Sequence, residues 1–294
     1  MVNGIINVYK EKGFTSFDVV AKMRGIYHQK KIGHTGTLDP DAEGVLPVCL
    51  GKATRVCDML TDRDKEYEAV LLLGKATDTQ DISGEVLAEA DVTVSAEQVR
   101  AAIESFVGDY DQIPPMYSAL KIQGQKLCDL ARKGITVERE ARRVRIYGIE
   151  ILETALPEIR MRVQCSKGTY IRTLCHDIGE KLGCHGCMKS LLRTKAAGFS
   201  LEQAHRLSEL EKQPMEWILP VDTVFMNLPK AVAAGEARKL LDNGNKLPAE
   251  LVTLLPHTEA VASKVRMYDE GEHFAGIYQY MEAEGVYKPE KMFI

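Results

Sequence analysis

The segment GHTGTLDPDAEGVLPVCLGKATR, Gly33 to Arg55, concentrates residue types that can shape a reactive loop. Gly33 and Gly36 let the backbone turn tightly, while Pro40 removes a donor and pushes Asp39 toward an extended conformation. Such a loop can hold a carboxylate rigidly at its tip. An aspartate before a proline also opens many ordinary turns, and nothing intrinsic separates Asp39 from Asp41 or Glu43. Taken by pattern alone, Tyr67 is a strand residue of the core, Tyr170 packs a helix N-terminus, Arg172 is a surface charge and Leu191 is one more core leucine. The cluster Cys184-His185-Gly186-Cys187 lacks the second ligand pair that a four-coordinate zinc site needs. It reads as a loop after a helix with two incidental thiols, and no metal is expected.

The elements around this loop set its frame. Gly4 to Tyr9 is a short β-like apolar run. Gly13 breaks it, and Thr15 or Ser16 can cap a helix carrying Val19, Val20, Met23 and Tyr27. Gly33 to Gly51 reads as an ordered loop leading into a buried strand at Leu46 to Leu50. Glu66 to Leu73, Val144 to Leu152 and Ile159 to Cys165 read as strands, and Ala96 to Phe106 and Thr169 to Leu182 as helices. Without a regular βαβ repeat, the pattern predicts an α+β fold around a mixed, largely antiparallel sheet. The composition changes after Leu219-Pro220-Val221-Asp222, and β-like pieces around Val265 to Tyr268 and Phe274 to Tyr280 predict a small β-rich second domain from about residue 230.

A chain of 294 residues, 45% apolar, can bury a sizeable core. Its longest apolar runs fall far short of the roughly 20 residues of a membrane span. The N-terminus lacks the features of a secretory signal, and seven irregularly spaced cysteines read as reduced thiols, so a cytoplasmic protein is expected. The net charge of −4 runs against a nucleic-acid partner, yet two basic stretches stand out. One carries Lys22, Arg24, Lys30 and Lys31; the other carries Arg132, Lys133, Arg139, Arg142, Arg143 and Arg145. Either could equally be a solvated charged face.

The Gly33 to Arg55 segment closely resembles the catalytic motif of the TruB family, the tRNA pseudouridine-55 synthases. Further segments resemble that family in the same order. They are Lys65-Glu66-Tyr67 with Thr77 to Asp81, Ile113 to Lys121, Cys165 to Leu174, and Leu191-Leu192-Arg193-Thr194. The resemblance covers roughly residues 4 to 225. It implies that Asp39 is the nucleophile, that Tyr67 stacks on the target base, and that Arg172 is the counterion of Asp39. It places His34, Tyr170 and Leu191 in the substrate site. It also implies a catalytic domain over 1–229 with an RNA-gripping insertion at about 114–146, and a PUA-like domain over 230–294. Departures are Glu11 in place of a usual proline, Cys128 in place of a common aromatic, and Cys187 near a family histidine.

The implied reaction detaches uracil, rotates it and rejoins it through carbon 5, so no redox step and no cofactor are needed. The uridine must be extruded from its loop at a cost of a few kcal/mol, part of which an aromatic face recovers at about 1–3 kcal/mol. The resemblance further implies a tRNA T-arm partner, gripped by Lys22, Lys30, Lys31, Arg132, Arg142 and Arg143, with no guide RNA and a monomeric enzyme. A non-catalytic tRNA-binding or tRNA-folding protein on the same fold is the alternative.

Overall fold

The computed structural model describes residues 1–255 and 262–294. Strand β1, Gly4–Lys10, leads into helix α1, Ser16–Tyr27. Thr15 starts that helix through a capping box: its hydroxyl accepts the Asp18 N–H, and the Asp18 carboxylate accepts the Thr15 N–H. Val19, Val20, Met23 and Tyr27 repeat at helical spacing and are all buried against β1 and the strand at Glu43.

The chain continues through β2 (Ile32–His34), β3 (Glu43–Leu50), β4 (Lys65–Leu73), a hairpin of β5 (Lys75–Thr77) and β6 (Val86–Glu89), helix α2 (Ala96–Glu104) and β7 (Gly108–Gln112). Then come β8 (Arg142–Ala155), β9 (Glu158–Cys165), helix α3 (Ile171–Leu182) and β10 (Gly186–Ala196). One nine-stranded sheet runs β1-β3-β10-β4-β9-β8-β7, with β2 added beside β3 and Phe199–Ser200 beside β10. Among the described strand pairs of this sheet, only β3–β10 is parallel. The fold is therefore α+β with a mixed, largely antiparallel sheet.

Alternation explains the layers. Along β9, Ile159, Met161, Val163 and Cys165 turn inward with Tyr67, Ala69, Leu71 and Leu73 of β4, and α3 lays Ile171, Leu174, Cys175 and Ile178 over them. At α3's end, Cys184 joins this core, and Cys187 lies in β10 opposite Leu72. Cys187 is thus a fully buried strand residue, where the sequence suggested a loop thiol. No cluster of three or more His, Cys, Asp or Glu that could hold a metal occurs among the described residues.

Strand β8 begins at Arg142, paired with Gln112, so the segment between β7 and β8 spans 113–141. Arg142, Arg143 and Arg145 consequently belong to the sheet and not to the insertion expected at about 114–146. The last strands, from Lys230–Ala233 to Val286–Met292, form a separate six-stranded sheet. It is tied to the larger layer by Phe225 packing on Phe274 and Phe293, and by the Tyr268 hydroxyl, 2.5 Å from Asp222 Oδ2. No described helix is long and apolar enough to cross a membrane.

Candidate active site

The loop between β2 and β3 is held along almost its whole length. Thr35 N–H donates to the Pro47 carbonyl at 3.1 Å. The next two carbonyls, of Gly36 and Thr37, accept the Arg193 guanidinium, whose Nε also donates to the Val45 carbonyl at 2.7 Å. Ser16 does not cap α1. Its hydroxyl accepts the Leu38 N–H at 2.9 Å and donates to the Leu38 carbonyl at 3.3 Å. The Asp39 carbonyl accepts Ala42 N–H at 3.1 Å, closing a turn with Pro40 at its second position. Lys10 is fully buried and donates to the carbonyls of Pro40 and Ala42, the second and last residues of the turn that Asp39 opens.

Glycine roles differ from the expectation. Gly36 adopts φ +121° and does turn the chain. Gly33 is a strand residue of β2, and a Cβ there would sit 3.2 Å from Cys57 Sγ, so compact packing is its role. The close approach of β3 to β10 rests on Gly44, at φ +105°, where a Cβ would fall 2.3 Å from the Arg193 carbonyl oxygen.

This scaffold buries Leu38 in the core with Tyr67 and Leu191, while Asp39 keeps a side chain 38% exposed. Arg172 meets it from the N-terminal turn of α3. Its Nε lies 3.0 Å from Asp39 Oδ2 and its Nη2 3.3 Å from Oδ1, a forked, charge-assisted pair. Arg172 is only 5% exposed, so the surface charge suggested by pattern is a buried one. Its Nη1 donates to the Thr79 carbonyl at 3.1 Å and lies 3.5 Å from Asp81 Oδ2. Its Nη2 donates to the Tyr117 carbonyl at 2.8 Å.

The electrostatic balance at Asp39 is set by burial first, which pushes its carboxyl above the usual range; the Arg172 guanidinium pulls it back down, and Asp81 pushes it up again. The guanidinium thus offsets burial only in part. Burial likewise raises the Tyr67 hydroxyl, against the lowering pull of Arg193. Burial lowers His34, helped by the Arg193 charge, and its Nδ1 is buried without a partner among the described residues. Tyr170 is the N-cap of α3, its backbone clamped by the Gln112 side chain at 2.8 and 2.9 Å. Its hydroxyl is raised by burial and lowered by Arg142 and Arg172.

The structure therefore joins Asp39 to Arg172, and places Leu38, Tyr67 and Leu191 in one buried cluster. Lys10, Ser16, Asp81, Gln112, Tyr117 and Arg193 hold these groups; the sequence suggests only a helix-capping role for Ser16 and none for the others. The one available signal was a lysine or arginine within an apolar strand pattern, as at Lys10 and Arg193. The basic residues are more dispersed. Lys30 and Lys31 are exposed, and Lys22 lines a shallow groove with Asp18 and Glu211. Arg132 faces Asp129, and Arg143 makes a forked pair with Asp111 at 3.0 and 2.9 Å. Arg142 is exposed and forms no ion pair among the described residues.

Comparison with known proteins shows the family. Residues 24–171 match the family described as TruB family pseudouridylate synthase (N terminal domain), and residues 172–226 match the tRNA pseudouridylate synthase B C-terminal domain. The chain is 55% identical over 307 residues to a tRNA pseudouridine synthase B of Lachnoclostridium phytofermentans, covering 100% of both. It is 47% identical over 273 residues to one of Alkaliphilus oremlandii, covering 92% of this chain and 91% of that one. Among solved structures it resembles a Cbf5-Nop10-Gar1 complex, with a TM-score of 0.73 and 28% identity over 99% of this chain and 85% of that chain. An H/ACA RNP bound to a substrate RNA containing 2′-deoxyuridine gives 0.72 and 26% over the same shares. The chain belongs to the TruB family of pseudouridylate synthases.

Proposed function

We propose that this enzyme isomerises the T-loop uridine of tRNA, position 55, to pseudouridine, with Asp39 as nucleophile. The forked Arg172–Asp39 pair carries the proposal, with Tyr67 and Leu191 in the buried cluster that Leu38, next to Asp39, also joins. The reaction breaks the bond from C1′ to N1 and makes one from C1′ to C5; C5 loses a proton and N1 gains one, so no electrons are exchanged. An ionised carboxylate beside the extruded nucleotide splits this into easier steps, and Arg172 keeps it ionised in a site whose burial favours the proton. Tyr67 stacks on the freed base, Tyr170 and His34 bound the nucleotide, and Leu191 limits the space for rotation. Lys22, Lys30, Lys31, Arg132, Arg142 and Arg143 neutralise T-arm phosphates.

Residues 1–229 serve as the catalytic domain, with 113–141 as the RNA-gripping insertion, and 230–294 as a PUA-like module. The full-length match to a tRNA pseudouridine synthase B supports tRNA as the substrate, and the proposal takes the enzyme to act as a cytoplasmic monomer without guide RNA or cofactor. The test is purified protein with unmodified tRNA transcript, followed by mapping of pseudouridine. Product at the T-loop uridine with no added RNA or protein is expected, and Asp39→Asn should bind tRNA yet yield none. Binding without product from the unaltered protein would favour a tRNA-folding role, and turnover by Asp39→Asn would overturn the nucleophile.

A further inference from the structure

We propose that Tyr117 is a positioning residue for Arg172, its carbonyl oxygen orienting the guanidinium and its hydroxyl anchoring that carbonyl through Asp78. The inference rests on the reading of Asp39 and Arg172 as the reacting pair. Arg172 faces two carboxylates, of Asp39 and Asp81, which compete for one guanidinium. Its contact to the Tyr117 carbonyl, at 2.8 Å, is shorter than any it makes to either acid. That carbonyl accepts from Nη2, the nitrogen that also reaches Asp39 Oδ1, and so aims the fork at Asp39.

The tyrosine is itself anchored. Its hydroxyl donates to Asp78 Oδ2 at 3.1 Å, and Asp78 Oδ1 accepts the Glu85 N–H at 2.8 Å. Asp78 directly precedes Thr79, whose carbonyl takes Arg172 Nη1. Both carbonyls that hold the guanidinium therefore hang on one side chain. Tyr117 also stands at the base of the 113–141 segment, after the buried residues Pro114, Pro115 and Met116. Losing the hydroxyl frees this base and lets Arg172 turn toward Asp81. Asp39 then faces Asp81, Asp41 and Lys10 with a weaker counterion, and its acid-range titration moves up.

The experiment compares the intact protein with Tyr117→Phe, which keeps ring and carbonyl, across a pH series at saturating and limiting tRNA. A fall in kcat of about tenfold is expected, in line with one lost hydrogen bond to a charged group, with KM within about twofold. The acid limb of the kcat profile should shift to higher pH, which a purely structural loss would not produce. Asp78→Ala should reproduce the limb shift, and the double variant should add little to it. Unchanged kcat and limb in Tyr117→Phe would overturn the inference, as would a rise in KM with kcat intact. Asp39→Asn run alongside separates the two claims: an inactive Asp39→Asn with an unaffected Tyr117→Phe removes only the positioning role, and an active Asp39→Asn removes the pair itself.

Discussion

Replacing Lys10 with methionine removes a buried cation and keeps most of the stem's volume. The ammonium donates to three carbonyls, of Glu11 at 3.2 Å, Pro40 at 3.1 Å and Ala42 at 2.6 Å. At about 2 kcal/mol for each hydrogen bond from a charged donor, these amount to roughly 6 kcal/mol. Against them stands the cost of keeping the charge in the interior, which lowers the Lys10 pKa from 10.5 to about 8. At about 1.4 kcal/mol per pH unit, that cost is on the order of 3 kcal/mol. The balance favours native lysine by about 2 to 3 kcal/mol at neutral pH, which for 294 residues lowers Tm by about 4 °C in the variant. Because Pro40 and Ala42 belong to the turn that Asp39 opens, kcat should fall with it, by up to about a hundredfold for a displacement near 1 Å.

The pH dependence has a definite sign. Between about pH 8 and 10.5 the unfolded chain holds a proton on Lys10 that the folded protein has released, so this group stabilises the fold more as pH rises. The methionine variant lacks that gain, and its deficit should widen from pH 7 to pH 9.5. Paired urea melts at the two values, with kcat on tRNA transcript, measure both effects. A variant as stable as the native protein at pH 7, or a deficit that narrows toward pH 9.5, would refute the reasoning.

Gly44→Ala should cost about 3 kcal/mol or more, because it adds about 1–2 kcal/mol of backbone strain at φ +105° to a clash with the Arg193 carbonyl; calorimetry showing less than about 1 kcal/mol would mean that β3 and β10 separate easily. Asp39→Asn should be at least as stable as the native protein at pH 7: burial raises the native carboxyl, so the fold loses stability as pH climbs through the ordinary carboxylate range, and the amide escapes that loss. A lower Tm at pH 7, with no advantage emerging between pH 3.5 and 7, would contradict it. Arg142→Ala should weaken tRNA binding several-fold and reduce the slope of log affinity against log salt by about 1, leaving kcat at saturation intact; an unchanged slope would take Arg142 off the phosphate path.

What the sequence reveals depends on whether a residue obeys local rules. The Thr15 capping box and the alternation Ile159, Met161, Val163, Cys165 are local patterns, and both elements form where the pattern places them. The start of β8 is hidden because Arg142, Arg143 and Arg145 look like a solvated run, although they alternate with Val144 and Ile146, which are buried. The support of the site is hidden for a stronger reason. Lys10, Arg193 and Arg172 are charges buried against carbonyls that lie 30 or more residues away for most of their contacts, and hydropathy assigns such residues to the surface. Asp39, Asp41 and Glu43 are equivalent in composition; Asp39 alone meets Arg172 because the Lys10 and Ser16 bonds set the loop's rotation. Buried polar groups with long-range partners are therefore where the fold gives up local consistency, and they converge on one carboxylate. That convergence is a stronger reason to place the chemistry at Asp39 than the turn that holds it.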